Sequence, residues 1–230
     1  MVDARRDHNT RKPPLLRLLF VRFFALWCVG ILAPAFAGEQ RLEPLLKAVE
    51  SRYNHAQSLR LDFTETYTAP KRSSQTESGV LFLRKPGRMR WDYTTPPGKL
   101  FLSDGKSVYL YTPDSNRVEK SKFKETEDMR APLAFLLGKL NFFKEFRKFE
   151  LRQDGAETWI VAEPTAENLP YSRVEFLVTP SAQIRRLKVI GDDYSVLDFT
   201  FDRESVNPRL ESGLFAFRMP AGAEMVEAAP

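Results

Sequence analysis

Along residues 59–67 the odd positions are mostly apolar and the even positions polar. Leu59, Leu61, Phe63 and Tyr67 are separated by Arg60, Asp62, Thr64 and Thr66, the pattern of a strand with one wet face. Residues 79–111 carry a denser version of the same signal. Val80 to Leu83, Met89 to Tyr93, Leu100 to Leu102 and Val108 to Tyr111 form short apolar-rich runs broken by Pro86 and by Asp104-Gly105. An Asp-Gly pair between apolar runs predicts a hairpin. Pro113 to Asn116 predicts another turn, leading to a polar strand near 117–121. From 147 onward, strands are predicted at 147–153, 157–163, 172–179, 184–191 and 195–202, with turns at Asp154-Gly155, Pro180-Ser181 and Asp192-Asp193. Phe215, Phe217 and Met219 read as a last short alternating segment, and residues 70–78 as a polar loop.

Two stretches break the strand rhythm. Over 39–54, Leu42, Leu45, Leu46, Val49 and Tyr53 recur at helical spacing, which predicts an amphipathic helix packed on the sheet. Residues 122–130 are charged and read as an exposed loop. Residues 131–146 are apolar almost all round; Pro132 suits a helical first turn and Gly138 a cap about two turns later. Regular strands joined by short turns predict a mainly β (α+β) fold, one meandering antiparallel sheet curled into a barrel or half-barrel.

The N-terminus changes what the composition means. Arg17 and Arg22 precede an apolar run from Phe23 to Ala33, and Ala35-Phe36-Ala37 offers small residues on either side of Phe36. That layout is a secretory signal peptide, 1–37, cleaved after Ala37, and its apolar run is too short for a membrane span. Trp27 before Cys28 argues against a lipid-modified cysteine. Residues 1–37 hold six of the 35 Lys/Arg and two of the 30 Asp/Glu, so 38–230 carries 29 bases and 28 acids, a net charge of +1. The pI of about 9.3 therefore mostly reflects the leader and does not point to nucleic acid. Residues 38–230 fit one domain, without cysteine, consistent with export to a bacterial periplasm.

Candidate chemistry is sparse. His8 leaves with the leader and His55 lies in a polar stretch after the helix, so a Ser-His-Asp triad or a zinc site has little to build on. The acidic groups Glu125, Glu127 and Asp128, and Asp192 with Asp193, read as solvated loop and turn rather than a glycosidase pair. No cofactor, metal site or enzymatic activity is expected. Arg84 and Lys85 remain. Strand alternation puts Lys85 on the face of Leu81 and Leu83, and Arg84 on the face of Val80 and Phe82. Both faces are otherwise apolar, so at least one cation sits at the rim of an apolar surface and needs partners.

The series Gly79, Leu83-Arg84-Lys85-Pro86, Trp91, Pro96/Pro97, Ser103-Asp104-Gly105-Lys106 and Tyr109 to Pro113 resembles the periplasmic outer-membrane lipoprotein carrier family, LolA. The likeness extends from the leader and first helix to a Phe-x-Phe-x-x-Pro-x-Gly end at Phe215, Phe217, Pro220 and Gly222. It implies an incomplete barrel of about eleven strands closed by the N-terminal helix and short lid helices. Its cavity would take lipoprotein acyl chains from an inner-membrane ABC transporter and pass them to an outer-membrane acceptor lipoprotein, with the carrier a monomer. On this reading Leu81, Leu83, Met89, Trp91 and Phe101 line the floor, and Leu133, Phe135, Leu136, Leu137, Phe142 and Phe143 form a movable lid. The family commonly has arginine directly before the motif proline, helping to hold the lid closed. Here Lys85 stands there and Arg84 precedes it, so either could be the latch. Met89 stands where the family often has an aromatic. Alternatives are a carrier of another lipid for a different exporter, and a lipid- or lipoprotein-sensing envelope regulator.

Overall fold

Twelve strands form one open, curved sheet in the computed structural model, which describes residues 36–123, 133 and 140–227, with side chains from 41 onward. The chain enters as helix α1 (Phe36–His55) and then runs β1 (Ser58–Thr68), β2 (Gln75–Arg84), β3 (Arg88–Thr95), β4 (Leu100–Asp104), β5 (Ser107–Thr112) and β6 (Arg117–Lys122). A one-turn helix α2 (Phe142–Glu145) leads into β7 (Phe146–Asp154), β8 (Glu157–Pro164), β9 (Tyr171–Val178), β10 (Ile184–Gly191) and β11 (Val196–Val206). A short 3-10 turn (Ser212–Phe215) and β12 (Glu224–Glu227) end the chain. Gly38–Pro230 is one compact unit.

The sheet is two meanders zipped together. β1 to β6 form one and β7 to β11 the other, and the antiparallel pairing of β1 with β11 joins them. The strand order is β12-β6-β5-β4-β3-β2-β1-β11-β10-β9-β8-β7. The predicted antiparallel meander is present, with one addition: β12 joins β6 in parallel. No described pairing links β7 to β6 or β12, so the barrel stays open.

Alternation decides which face is apolar. Leu59, Leu61 and Phe63 of β1 are buried, whereas Arg60, Asp62 and Thr64 are not. Cross-strand register extends this into rows, because directly opposed residues share a face. Leu61 faces Leu81, Leu81 faces Trp91, and Trp91 faces Phe101. In the second meander Ile160, Phe176, Leu187 and Phe199 continue the inner face across β8 to β11. Helix α1 closes onto that face with Leu46, Val49 and Tyr53, as its spacing predicts.

Two regions depart from the sequence reading. β2 starts at Gln75, inside the stretch read as loop. Gln75 and Thr76 are exposed there, and outer-face hydroxyls pair across the strands, Thr66 with Thr76 at 3.1 Å and Ser78 with Thr94 at 3.4 Å. The C-terminal tail does not form a strand at Phe215–Met219. It crosses the outer face as a strap held by outer-face side chains. Ser58 Oγ donates to Pro208 O (3.0 Å), Arg84 Nη2 to Leu210 O (2.6 Å) and Arg90 Nη1 to Leu214 O (3.1 Å). Phe217 then stacks on Tyr109 at 4.3 Å, and a turn through Gly222 (φ 67°) launches β12. The terminal Phe-x-Phe motif is therefore a fastening for the outer face.

Gly79 marks where β2 bends. The register of β2 against β3 shifts between Ser78 and Gly79. A Cβ at Gly79 would collide with the Asp92 carbonyl oxygen, so only glycine lets the two backbones approach there. Gly79→Ala is expected to destabilise the protein by about 1–3 kcal/mol, read as a lowered urea midpoint with an unchanged m value.

Candidate functional site

The inner face gathers most of the residues singled out from the sequence. Leu81, Leu83, Met89, Trp91, Leu133 and Phe142 all belong to one buried cluster with Leu46, Val49 and Tyr53 of α1, and Phe101 packs against its margin. Phe142 meets Phe176 edge-on at 5.4 Å. Phe143 is placed differently: it is 53% exposed and its ring meets Phe149 at 5.4 Å, a half-buried ring that packs on the margin of the cluster. Phe135, Leu136 and Leu137 lie outside the described residues.

Aromatic rings concentrate at the middle of the floor. Phe63 sits edge-on to both Trp91 (4.7 Å) and Tyr93 (5.1 Å), and Phe199 lies 5.6 Å from Trp91. Such edge contacts add directional stability to burial. Beyond Tyr93 the floor turns polar. Lys99 Nζ donates to both carboxylate oxygens of Glu77 at 2.6 Å and stands 4.5 Å from the Tyr93 ring centroid.

Arg84 and Lys85 diverge to opposite faces, as alternation predicts. Lys85 Nζ donates to the carbonyls of Tyr53 (2.8 Å) and Asn54 (3.0 Å), the last turn of α1. A cation there satisfies orphan carbonyls and complements the helix dipole. Burial lowers the Lys85 pKa from its ordinary value. Arg84 faces outward, with its guanidinium 5.2 Å from the Phe215 ring centroid while it holds the strap at Leu210. The described partners of both are thus backbone carbonyls, Lys85's on the cover of the inner face and Arg84's on the outer strap.

The polar ties of α1 were not visible in the sequence. Asn54 acts as a double clasp: its Nδ2 donates to Leu140 O (2.9 Å) and its Oδ1 accepts from Leu140 N (2.6 Å). Glu50 Oε1 accepts from Phe142 N at 2.7 Å. Residues 140–142 are thereby tethered to the helix. Deeper in, Tyr53 Oη donates to Glu204 Oε2 (2.8 Å) and accepts from Ile184 N (2.9 Å), while Arg52 Nε donates to Glu204 Oε1 (3.0 Å). Polar residues at the end of the helical stripe were the only available signal, since the partners lie far away along the chain. His55 is exposed, with Nδ1 2.7 Å from Ser51 O.

The apolar inner face of the open sheet is thus covered by one helix and the tethered residues 140–142. The family model described as outer membrane lipoprotein carrier protein LolA matches residues 54–218, and the chain belongs to that family. Proteins named outer-membrane lipoprotein carrier protein are similar over most of their length. The one from Bordetella avium is 29% identical over 199 residues, covering 85% of this chain and 92% of the relative. The one from Nitrosospira multiformis is 28% identical over 180 residues, covering 78% and 86%. The crystal structure of an uncharacterized conserved protein from Thermus thermophilus shares the fold, with a TM-score of 0.51 at 12% identity over 80% of this chain and 98% of that one. Membership places the chain among carriers rather than enzymes.

The Tyr53 network sets an alkaline limit. Burial first, and the neighbouring Glu204 carboxylate second, push the Tyr53 phenol well above its ordinary value. Burial, then Glu145, pushes Tyr171 up to about 12. Above pH 10 an unfolded tyrosine has lost its proton while the folded one keeps it, so stability falls as pH rises. Lys85 has the opposite sign, adding stability with rising pH between its lowered folded value and 10.5. Tyr53→Phe is expected to cost about 1–3 kcal/mol at pH 7, and to lose less stability than wild type between pH 10 and 11.5, by up to ~1.4 kcal/mol per pH unit. Urea titrations at the three pH values check both.

Proposed function

We propose that this protein is an exported periplasmic carrier that shields the acyl chains of lipoproteins on its inner apolar face during transfer to the outer membrane. The observation that carries the reading is the continuous apolar inner face over β1 to β3 and β8 to β11, roofed by α1 within a LolA-family chain. Residues 1–37 act as a leader cleaved after Ala37, leaving 38–230 as the carrier domain. An inner-membrane lipoprotein-releasing ABC transporter loads it and an outer-membrane acceptor lipoprotein unloads it.

The energetics fit such a role. Three long acyl chains carry on the order of 45 methylenes, and exposing them to water costs roughly 35 kcal/mol at about 0.8 kcal/mol each. An apolar surface offsets most of that without directional bonds, so the cargo can leave when an equally apolar site is offered. Leu81, Leu83, Met89, Trp91 and Phe101 serve as the floor. Leu133, Phe142 and Phe143 belong to the lid, together with Phe135, Leu136 and Leu137 outside the described residues. Lys85, gripping α1, is the favoured latch, with Arg84 bracing the opposite face.

Native mass spectrometry of the protein from the periplasm is expected to show a bound triacylated lipoprotein. A bound free lipid would point to a different exporter, and an empty protein under loading conditions would overturn the reading. Replacing Arg84 and Lys85 together by Gln is expected to deplete or trap the loaded form and misroute lipoproteins; normal sorting in that variant would rule out the latch.

A further inference from the structure

Trp91 holds the one donor of the aromatic floor that is both fully buried and unanswered among the described residues. Its side chain is 0% exposed, and its Nε1–H finds no hydrogen-bond acceptor there. Its ring neighbours are Phe63, Tyr93 and Phe199, and its cross-strand neighbours on the same face are Leu81 and Phe101. A phenylalanine there would bury apolar area without this liability. Buried donors in native interiors are nearly always paired, because an unmade hydrogen bond costs the full desolvation of the group. An unanswered donor in an apolar floor therefore asks for an acceptor that arrives with the guest.

Acyl cargo brings one. Each chain of an acylated lipid or protein ends in an ester or amide carbonyl, an acceptor that must also leave water when the chain is buried. We propose that the Trp91 indole N–H donates to an acyl carbonyl of the bound cargo, so that the floor recognises ester- or amide-linked chains and fixes how deeply they enter. This rests on the carrier reading above and adds a chemical selectivity to it. Trp91 lies mid-strand, between Met89 near the Lys85 end and Tyr93 beside the Glu77–Lys99 pair, so the carbonyl is held at the centre of β3 rather than at either polar end. One bond per cargo gives register, while the hydrocarbon still supplies the affinity.

The test uses the leaderless protein and two probes, a two-chain ester-linked phospholipid and its ether-linked counterpart with the same headgroup and chain lengths. Wild type is expected to bind the ester lipid about fivefold more tightly (~1 kcal/mol), and Trp91→Phe to bind both equally. The Trp91 indole N–H resonance of wild type, assigned with Trp159→Phe, is expected to move downfield with the ester lipid and not with the ether lipid, a readout that requires no change at Trp91. Equal binding of both lipids by wild type, or an ester preference that survives in Trp91→Phe, overturns the inference and leaves the carrier reading standing. Binding of neither lipid overturns the inference, and the native mass spectrum then decides separately whether the carrier reading stands.

Discussion

Everything in this fold hangs on β1. It is the strand shared by both meanders, pairing with β2 along one edge and with β11 along the other. Its side chains therefore choose the inner face for the whole sheet. Leu59, Leu61 and Phe63 set the level to which Leu83, Leu81 and Gly79 on one side, and Phe201 on the other, must register. A slip of one residue in either pairing would turn the apolar rows outward and bring Arg60 and Asp62 under α1. A carboxylate and a guanidinium would then lie in a dry interior, away from the water that solvates them, a cost far larger than any single contact. The ion pair of Arg203 on β11 with Asp62 on β1 crosses that seam on the outer face and favours the observed register from the wet side.

Strands were legible wherever one face is dry and the other wet, because period-two alternation then records the burial directly. β8 to β11 fall close to the predicted spans for this reason, and Asp104 shows its turn chemistry plainly, accepting from Lys106 N (2.7 Å) and Ser107 N (2.8 Å). The errors share one physical source. Gln75 to Ser78 carry no apolar alternation because their strand is stabilised by backbone pairing and hydroxyl contacts, which polarity alone cannot separate from a loop. Phe215 and Phe217 alternate like a strand, but guanidinium and phenol side chains of the outer face capture them first. β12 is too short and too polar to announce itself.

The site was legible in composition more than in connection. Membership of the inner cluster followed from alternation for Leu81, Leu83, Met89 and Trp91, and the opposite headings of Arg84 and Lys85 followed from the same rule. Their partners did not, because Tyr53 O, Asn54 O and Leu210 O are carbonyls that every residue possesses. The Asn54 clasp and the Tyr53–Glu204 bond were equally hidden, since they join residues 86 and 151 positions apart. Phe143 shows the limit of reading an apolar run as a unit: the one-turn helix that buries Phe142 turns the next ring outward to Phe149.

The cover of the inner face is held by two kinds of force. Apolar packing of Leu46, Val49 and Phe142 is non-directional, so a guest of similar polarity can replace it at little net cost. The Asn54 clasp, the Glu50 bond and the Lys85 grip are directional and few, and they lie where α1 meets residues 140–142 and the end of β2. Lys85 grips α1 itself, so its bonds hold the helix to the end of β2 with a charge that burial already disfavours. Tyr53, locked to Glu204 and Ile184 from deeper inside, keeps the helix itself in place. The cover therefore divides into an anchored helix and a segment, residues 140–142, that is tied to it by three hydrogen bonds and apolar packing.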